Sequence, residues 1–108
     1  EDVQAMIGHM VGVAMASQED PKEIYKVGLN TSRLLMATGD LIIAWLLLRQ
    51  ADIAQNKLAN AGRDTEFYNG KIASAKFFVR SVLPHISIER AVVESETGEI
   101  MNISEAAF

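Results

Sequence analysis

The 108-residue sequence predicts an all-α fold: an antiparallel bundle of three to four helices with an irregular C-terminal tail. Three observations lead there. Apolar residues recur at steps of three and four along most of the chain, the period of an amphipathic helix. No stretch alternates apolar and polar residues long enough to make a strand, and nothing repeats at a fixed longer period. Capping residues and helix breakers at Asp20-Pro21, Gly62 to Thr65 and Pro84 cut the pattern into helix-sized pieces with short connections.

Met6, Ile7, Met10, Val13 and Ala14 place a first helix from Val3 to about Gln18. Gly8 and Gly12 lie four apart on it. Glycine weakens a helix but lets a second helix approach closely, and close packing is the expected reason for both. The next start is strongly marked: Asp20 can cap, Pro21 suits the first helical position, and Glu23 can reach back to the cap. From there Ile24, Val27, Thr31, Leu34, Thr38, Leu41, Trp45 and Leu48 keep the helical step. Leu35, Ile42, Leu46 and Leu47 widen the stripe almost to a full circle, which predicts the central, most buried helix. It can extend to Asn60, about 60 Å at 1.5 Å per residue, with a bend expected near Gly28 or Gly39 and a stop at Gly62.

Asp64 or Thr65 can cap a third helix carrying Tyr68, Ile72, Ala75, Val79, Val82 and Ile86, its apolar face broadened by Phe77 and Phe78. Pro84 has no amide hydrogen and crowds the preceding turn. It predicts a kink or a break, with a short fourth helix reaching about Glu94. From Ser95 to Phe108, with Gly98 and a weak Ser104 cap, a mostly irregular tail is expected, anchored by Ile100, Met101, Ile103 or Phe108.

Residues 1–108 suit a single domain, long enough to bury roughly 65% of the surface an unfolded chain of this size exposes. The apolar share of 49% supplies a core and argues against disorder. A net charge of −4 has the wrong sign for neutralising phosphates, so nucleic acid is not an expected partner. Lys71, Lys76 and Arg80 approach a basic row, which can meet a phosphate-bearing group but ordinarily forms a solvated helix face. The absence of cysteine removes disulfides, thiolate nucleophiles and thiolate metal sites, and fits a reducing, cytoplasmic setting. The uninterrupted apolar run Leu41 to Leu48 is far short of the ~20 residues of a membrane span, so a core segment is expected instead. No secretory signal is visible, and a start at Glu1 leads us to expect part of a longer or trimmed polypeptide.

A catalytic site needs a nucleophile or acid–base pair, charge stabilisation and a pocket, all converging. His85 and Glu89, four apart, can share a helical face and offer two ligands to a metal, but a third would have to come from another helix. The ordinary expectation for His85 is a surface or helix-end position, and for His9 a partly exposed or hydrogen-bonded one. Asp40 and Asp52 sit in or beside the most apolar helix, where burial would raise a carboxyl pKa, or they can face solvent. Arg33 and Arg49 are possible partners at unhelpful spacing. Gly28, Gly39, Gly62 and Gly70 are isolated and match no phosphate-cradling pattern. Trp45, Phe77 and Phe78 can line a ligand slot, although large aromatics at helical spacing are usually core. No catalytic, cofactor-binding or metal-binding residue is assigned on this basis.

The segment Thr38-Gly-Asp-Leu-Ile-Ile-Ala-Trp-Leu-Leu-Leu-Arg-Gln-Ala51, the segment Glu66-Phe-Tyr-Asn-Gly-Lys-Ile-Ala-Ser-Ala-Lys-Phe-Phe-Val-Arg-Ser-Val-Leu-Pro84 and the ending Ser-Glu-Ala-Ala-Phe108 resemble the acyl-CoA dehydrogenase C-terminal-like domain. The likeness runs from about Asp20 to Phe108. It is most specific in Phe-Tyr-x-Gly-Lys to Leu-Pro and in the terminal phenylalanine. The resemblance implies a helical appendage at the C-terminus of an FAD-dependent acyl-CoA dehydrogenase, whose flavin site and glutamate base lie in upstream catalytic domains. No catalytic residue is carried onto this chain by it. The implied role is structural, covering the catalytic body or building a homo-oligomer contact, with some influence on the acyl-CoA entrance. The alternative is an independent helical interaction module that self-associates through apolar faces and has no enzyme attached.

Overall fold

The computed structural model describes residues 1–108. The chain is all-α: helices α1 (Asp2–Ala16), α2 (Ile24–Lys57), α3 (Thr65–Ser81) and α4 (His85–Ser95) are linked and followed by short 3-10 turns, and no strand is present. It divides into two compact units. The first comprises Glu1–Ala37 with Ser87–Phe108, and the second comprises Thr38–Ile86.

In the first unit α1 buries Val3, Met6 and Met10, a three-and-four stripe, and leaves Ile7, Val11 and Met15 exposed. Gly8 and Gly12 do not serve a close approach within this chain. A Cβ at either would meet nothing within 4 Å. After α1, Asp20 accepts a hydrogen bond from the Lys22 amide at 3.1 Å with Pro21 next to it, as the sequence predicts, but the start is a 3-10 turn, Pro21–Glu23, that runs into α2. Glu23 turns forward to Lys26 at 2.9 Å rather than back to the cap, because the i,i+3 cation is a stronger attractor than an already bonded amide. In the tail, Glu96 Oε1 accepts the Gly98 amide at 3.0 Å, Gly98 adopts φ +72°, and Ser104 caps the 3-10 turn Glu105–Ala107. Ile100, Met101, Ile103 and Phe108 do not anchor the tail; all four are exposed, Phe108 by 98%. The buried tail position is Gly98, set against the Lys26 stem.

In the second unit Ala44 and Ala54 of α2, Ala75 of α3 and Ile86 are buried. α2 ends at Lys57, and Gly62, at φ +54°, supplies the expected stop. Asp64 takes the N-cap position of α3 without a capping side-chain bond, while the Thr65 hydroxyl donates to the Gly62 carbonyl at 2.8 Å. Pro84 gives the break: α3 stops at Ser81 and α4 begins at His85.

α2 is not the most buried helix. Leu35 is 70% and Trp45 56% exposed, and Ile24, Leu41, Ile42, Leu46, Leu48 and Ile53 are exposed with them. Its buried positions are instead Asn30, Ala37, Ala44 and Ala54. Phe77 of α3, 66% exposed, is likewise outside. The cause is length. At 34 residues α2 is twice or more as long as α1 or α4 and offers apolar side chains almost all round, so its neighbours within the chain cover only one stripe. Three of the four positions so covered are alanines. The helical segment Pro21–Asn60 is consequently long and apolar enough, by length and composition, to cross a membrane, although no uninterrupted apolar run in it has that length.

Candidate functional site

The polar groups singled out in the sequence do not converge. Glu89 is taken by Arg33, whose Nη1 donates to Glu89 Oε2 at 2.8 Å, so the i,i+4 pairing of His85 and Glu89 is spent on an ion pair between α2 and α4. His85 is exposed and His9 half-buried. Asp40 is half-buried and Asp52 exposed, one on each side of the apolar run. Arg49 lies over the Trp45 ring at 5.3 Å, and Lys71 over Phe67 at the same distance. This takes Lys71 out of the basic row and leaves Lys76 and Arg80 exposed. No three carboxylate, imidazole or thiol groups come together.

A polar cluster that local sequence spacing does not reveal ties the start of α1 to α4. Asp2 accepts from Ser87 Oγ at 2.7 Å and from Arg90 Nη1 at 3.0 Å, while Arg90 Nε donates to Glu94 Oε1 at 2.8 Å. The Ser87 hydroxyl, then the Arg90 guanidinium, hold the Asp2 carboxyl below its ordinary value. Glu94 and Asp2 push Arg90 up. Only the Arg90–Glu94 spacing, i,i+4, was a usable signal. The Asp2 contacts span more than eighty residues.

Two clefts accompany these groups. In the second unit a largely apolar one of about 230 Å³ is lined by Gln50, Ile53, Ala54, Phe67, Tyr68 and Lys71. It places the Phe-Tyr-x-Gly-Lys motif against the C-terminal part of α2, with Phe67 and Tyr68 edge-on at 5.6 Å. In the first unit a polar cleft of about 290 Å³ lies between the start of α2 and the tail, where Lys22, Lys26, Thr97 and Asn102 face Asp20 and Glu23. Cations and carboxylates alternate around it, and Lys26 already pairs with Glu23.

Beside these polar groups, large apolar side chains of α1, α2 and α3 stand exposed. The sequence model described as acetyl-CoA dehydrogenase C-terminal like matches residues 1–104. The chain belongs to that family. It is 46% identical over 99% of its length to the broad-specificity linear acyl-CoA dehydrogenase of Mycobacterium tuberculosis, of which it covers 18%. It is 38% identical over 76% of its length to a butyryl-CoA dehydrogenase of Syntrophomonas wolfei, covering 14% of that protein. It is 34% identical over 88% of its length to the 3-methylmercaptopropionyl-CoA dehydrogenase of Ruegeria pomeroyi, covering 15%. The chain thus spans less than a fifth of the curated relatives it matches. The family match includes α1, which lies ahead of the Asp20–Phe108 span of the sequence resemblance.

Proposed function

We propose that residues 1–108 form the C-terminal accessory domain of an FAD-dependent, cytoplasmic acyl-CoA dehydrogenase, in which α,β-dehydrogenation of an acyl-CoA thioester is performed by upstream catalytic domains. In this reading the four helices act as one antiparallel bundle that packs on the catalytic body and supports a homo-oligomer. Nucleic acid is not a partner, and the apolar faces are covered by protein rather than lipid.

One observation carries the structural role: large apolar side chains stand exposed on the helices, among them Met15 of α1, Leu35, Met36 and Trp45 of α2 and Phe77 of α3. Family membership and the relatives' names support the acyl-CoA chemistry. FAD is assigned to the upstream polypeptide because its fit here is poor. Both clefts lie under the ~300–1,000 Å³ usual for small-molecule sites, and in the polar one Lys22 and Lys26 share the space with Asp20 and Glu23, whose carboxylates oppose a diphosphate.

The test compares the longest polypeptide encoded around this chain with the 108 residues alone, by flavin absorbance and acyl-CoA-dependent dye reduction. Flavin and activity in the longer protein only are expected. Activity in the 108 residues would overturn the assignment, and neither signal in either protein would favour the independent interaction module.

A further inference from the structure

We propose that Asn69 is a site of spontaneous, backbone-assisted deamidation, gated by the opening of the first turns of α3. Of the five asparagines, Asn30, Asn56, Asn60, Asn69 and Asn102, only Asn69 is followed by glycine. That neighbour matters because the attacking atom is the next residue's amide nitrogen, and a side chain on it would crowd the approach. Asn69 and Gly70 are both exposed to water. In the reaction the Gly70 nitrogen bonds to Cγ of Asn69 and loses its proton to solvent, while the Cγ–Nδ2 bond breaks and ammonia leaves with a proton from water. Water then opens the five-membered imide at either carbonyl, which leaves aspartate or isoaspartate at this position.

The helix holds this chemistry back. The ring closes only when Asn69 leaves the helical ψ of about −42°, and within α3 the Gly70 amide is directed at the carbonyl four residues earlier. Three features ease the opening at this point. The pair lies in the second turn of α3, near the end that frays first. Asp64, at the N-cap position, makes no capping side-chain bond, and the Thr65 hydroxyl turns back to the Gly62 carbonyl. Gly70 is the weakest helix former in α3, and the Ser74 hydroxyl donates to its carbonyl at 2.9 Å in competition with the helix ladder. Isoaspartate lengthens the main chain by one carbon between residues 69 and 70. Phe67 and Lys71, held four apart with the ammonium 5.3 Å from the ring, then lose their register. Both line the apolar cleft of about 230 Å³ with Tyr68, so the modification alters one wall of that cleft, whatever reaction the parent protein catalyses.

The experiment incubates the longest polypeptide encoded around this chain at mildly alkaline pH, in native buffer and in denaturing urea. Peptide mapping by mass spectrometry reads amide loss at each asparagine, and methyl transfer by an isoaspartyl methyltransferase identifies isoaspartate. In native buffer the product is expected at Asn69 ahead of Asn56 and Asn60, which are equally exposed but precede Lys57 and Ala61. In urea the rate at Asn69 should rise at least about ten-fold, as for an open form populated less than a tenth of the time. Gly70→Ala should lower the native rate at least about five-fold, since alanine favours the helix and shields the nitrogen. A Cβ there would meet nothing within 4 Å, so the variant is expected to keep its circular dichroism; should it misfold, the asparagines of the wild type decide alone. No product at Asn69 in native buffer, product no faster than at Asn56 and Asn60, or an unchanged rate in folded Gly70→Ala would overturn the site. Equal rates in native buffer and urea would overturn the gate.

Discussion

The two faces of α2 invert the usual placement of large and small residues. The inner face carries Asn30, Ala37, Ala44 and Ala54, all nearly inaccessible, and the outer face carries Leu35, Ile42, Leu46 and Ile53, all exposed. A small side chain lets a neighbouring backbone come near, so a short chain with few helices closes most tightly on its alanines. The large side chains remain for what lies beyond these 108 residues. Burial within the chain and burial in the assembled protein are therefore written on different faces of one helix, and the contrast can be broken from either side.

The largest effect is expected where the chain's own interior is most complete. Met6, on α1, has no accessible surface, and Met6→Ala should cost about 2–5 kcal/mol through lost burial and the cavity left behind. Urea unfolding followed by circular dichroism reads it. Ile42→Ala, on the outer face of α2, should cost well under 1 kcal/mol in the 108 residues, since it removes no buried contact. Comparable costs for the two would erase the distinction between the faces.

Adding volume tests the inner face directly. Ala44→Leu should destabilise by about 1–3 kcal/mol, because no room remains beside a residue 2% exposed. The small-inside rule also holds in the tail at Gly98, where φ is +72° and a Cβ would lie 3.3 Å from both Cγ and Cε of Lys26. Gly98→Ala should cost about 1–2 kcal/mol, chiefly from the left-handed backbone, since the lysine stem can shift.

Helix placement was legible because it depends on local marks. Asp20-Pro21, Gly62 and Pro84 set the boundaries found in the structure. What faced inward was not legible. Leu41, Trp45 and Leu48 share a helical step with Val27 and Leu34, but periodicity states only that they lie on one side, and says nothing of which side a neighbour takes. The row Asn30, Ala37, Ala44, spaced by sevens, is equally visible in the sequence, but alanine carries little hydrophobic weight, so the pattern does not mark it as the inner face. Arg33–Glu89 and the Asp2 cluster were illegible for another reason: they join residues 56 to 88 positions apart.

Acid should loosen the polar ties of the first unit before it touches the apolar ones. The Asp2 carboxyl titrates below its ordinary 3.8 in the folded chain, so the stability it contributes is fully present above that value. It is lost as pH falls from about there through the lower folded pKa. Unfolding midpoints of the wild type and Asp2→Asn should therefore differ by a constant amount above pH 4 and converge below it. A gap that persists to the lowest pH would mean that the negative charge of Asp2 is not what holds Ser87 and Arg90.

The smallest expected effect concerns the single polar member of the inner row. Asn30 is 2% exposed, and its Nδ2 donates to the Lys26 carbonyl at 3.0 Å, but its Oδ1 has no donor. A buried acceptor left unpaired costs about 1–3 kcal/mol, while the local bond it accompanies contributes about 1 kcal/mol. Replacing both by apolar volume should then leave stability unchanged or raise it by up to about 1 kcal/mol, so Asn30→Leu is expected to unfold at equal or higher urea than the wild type. That outcome would set Asn30 apart from Ala44, two steps along the same row, where added volume has only a cost. If Asn30→Leu instead loses as much as Ala44→Leu, space rather than polarity governs the whole inner face, and the amide is there because it fits.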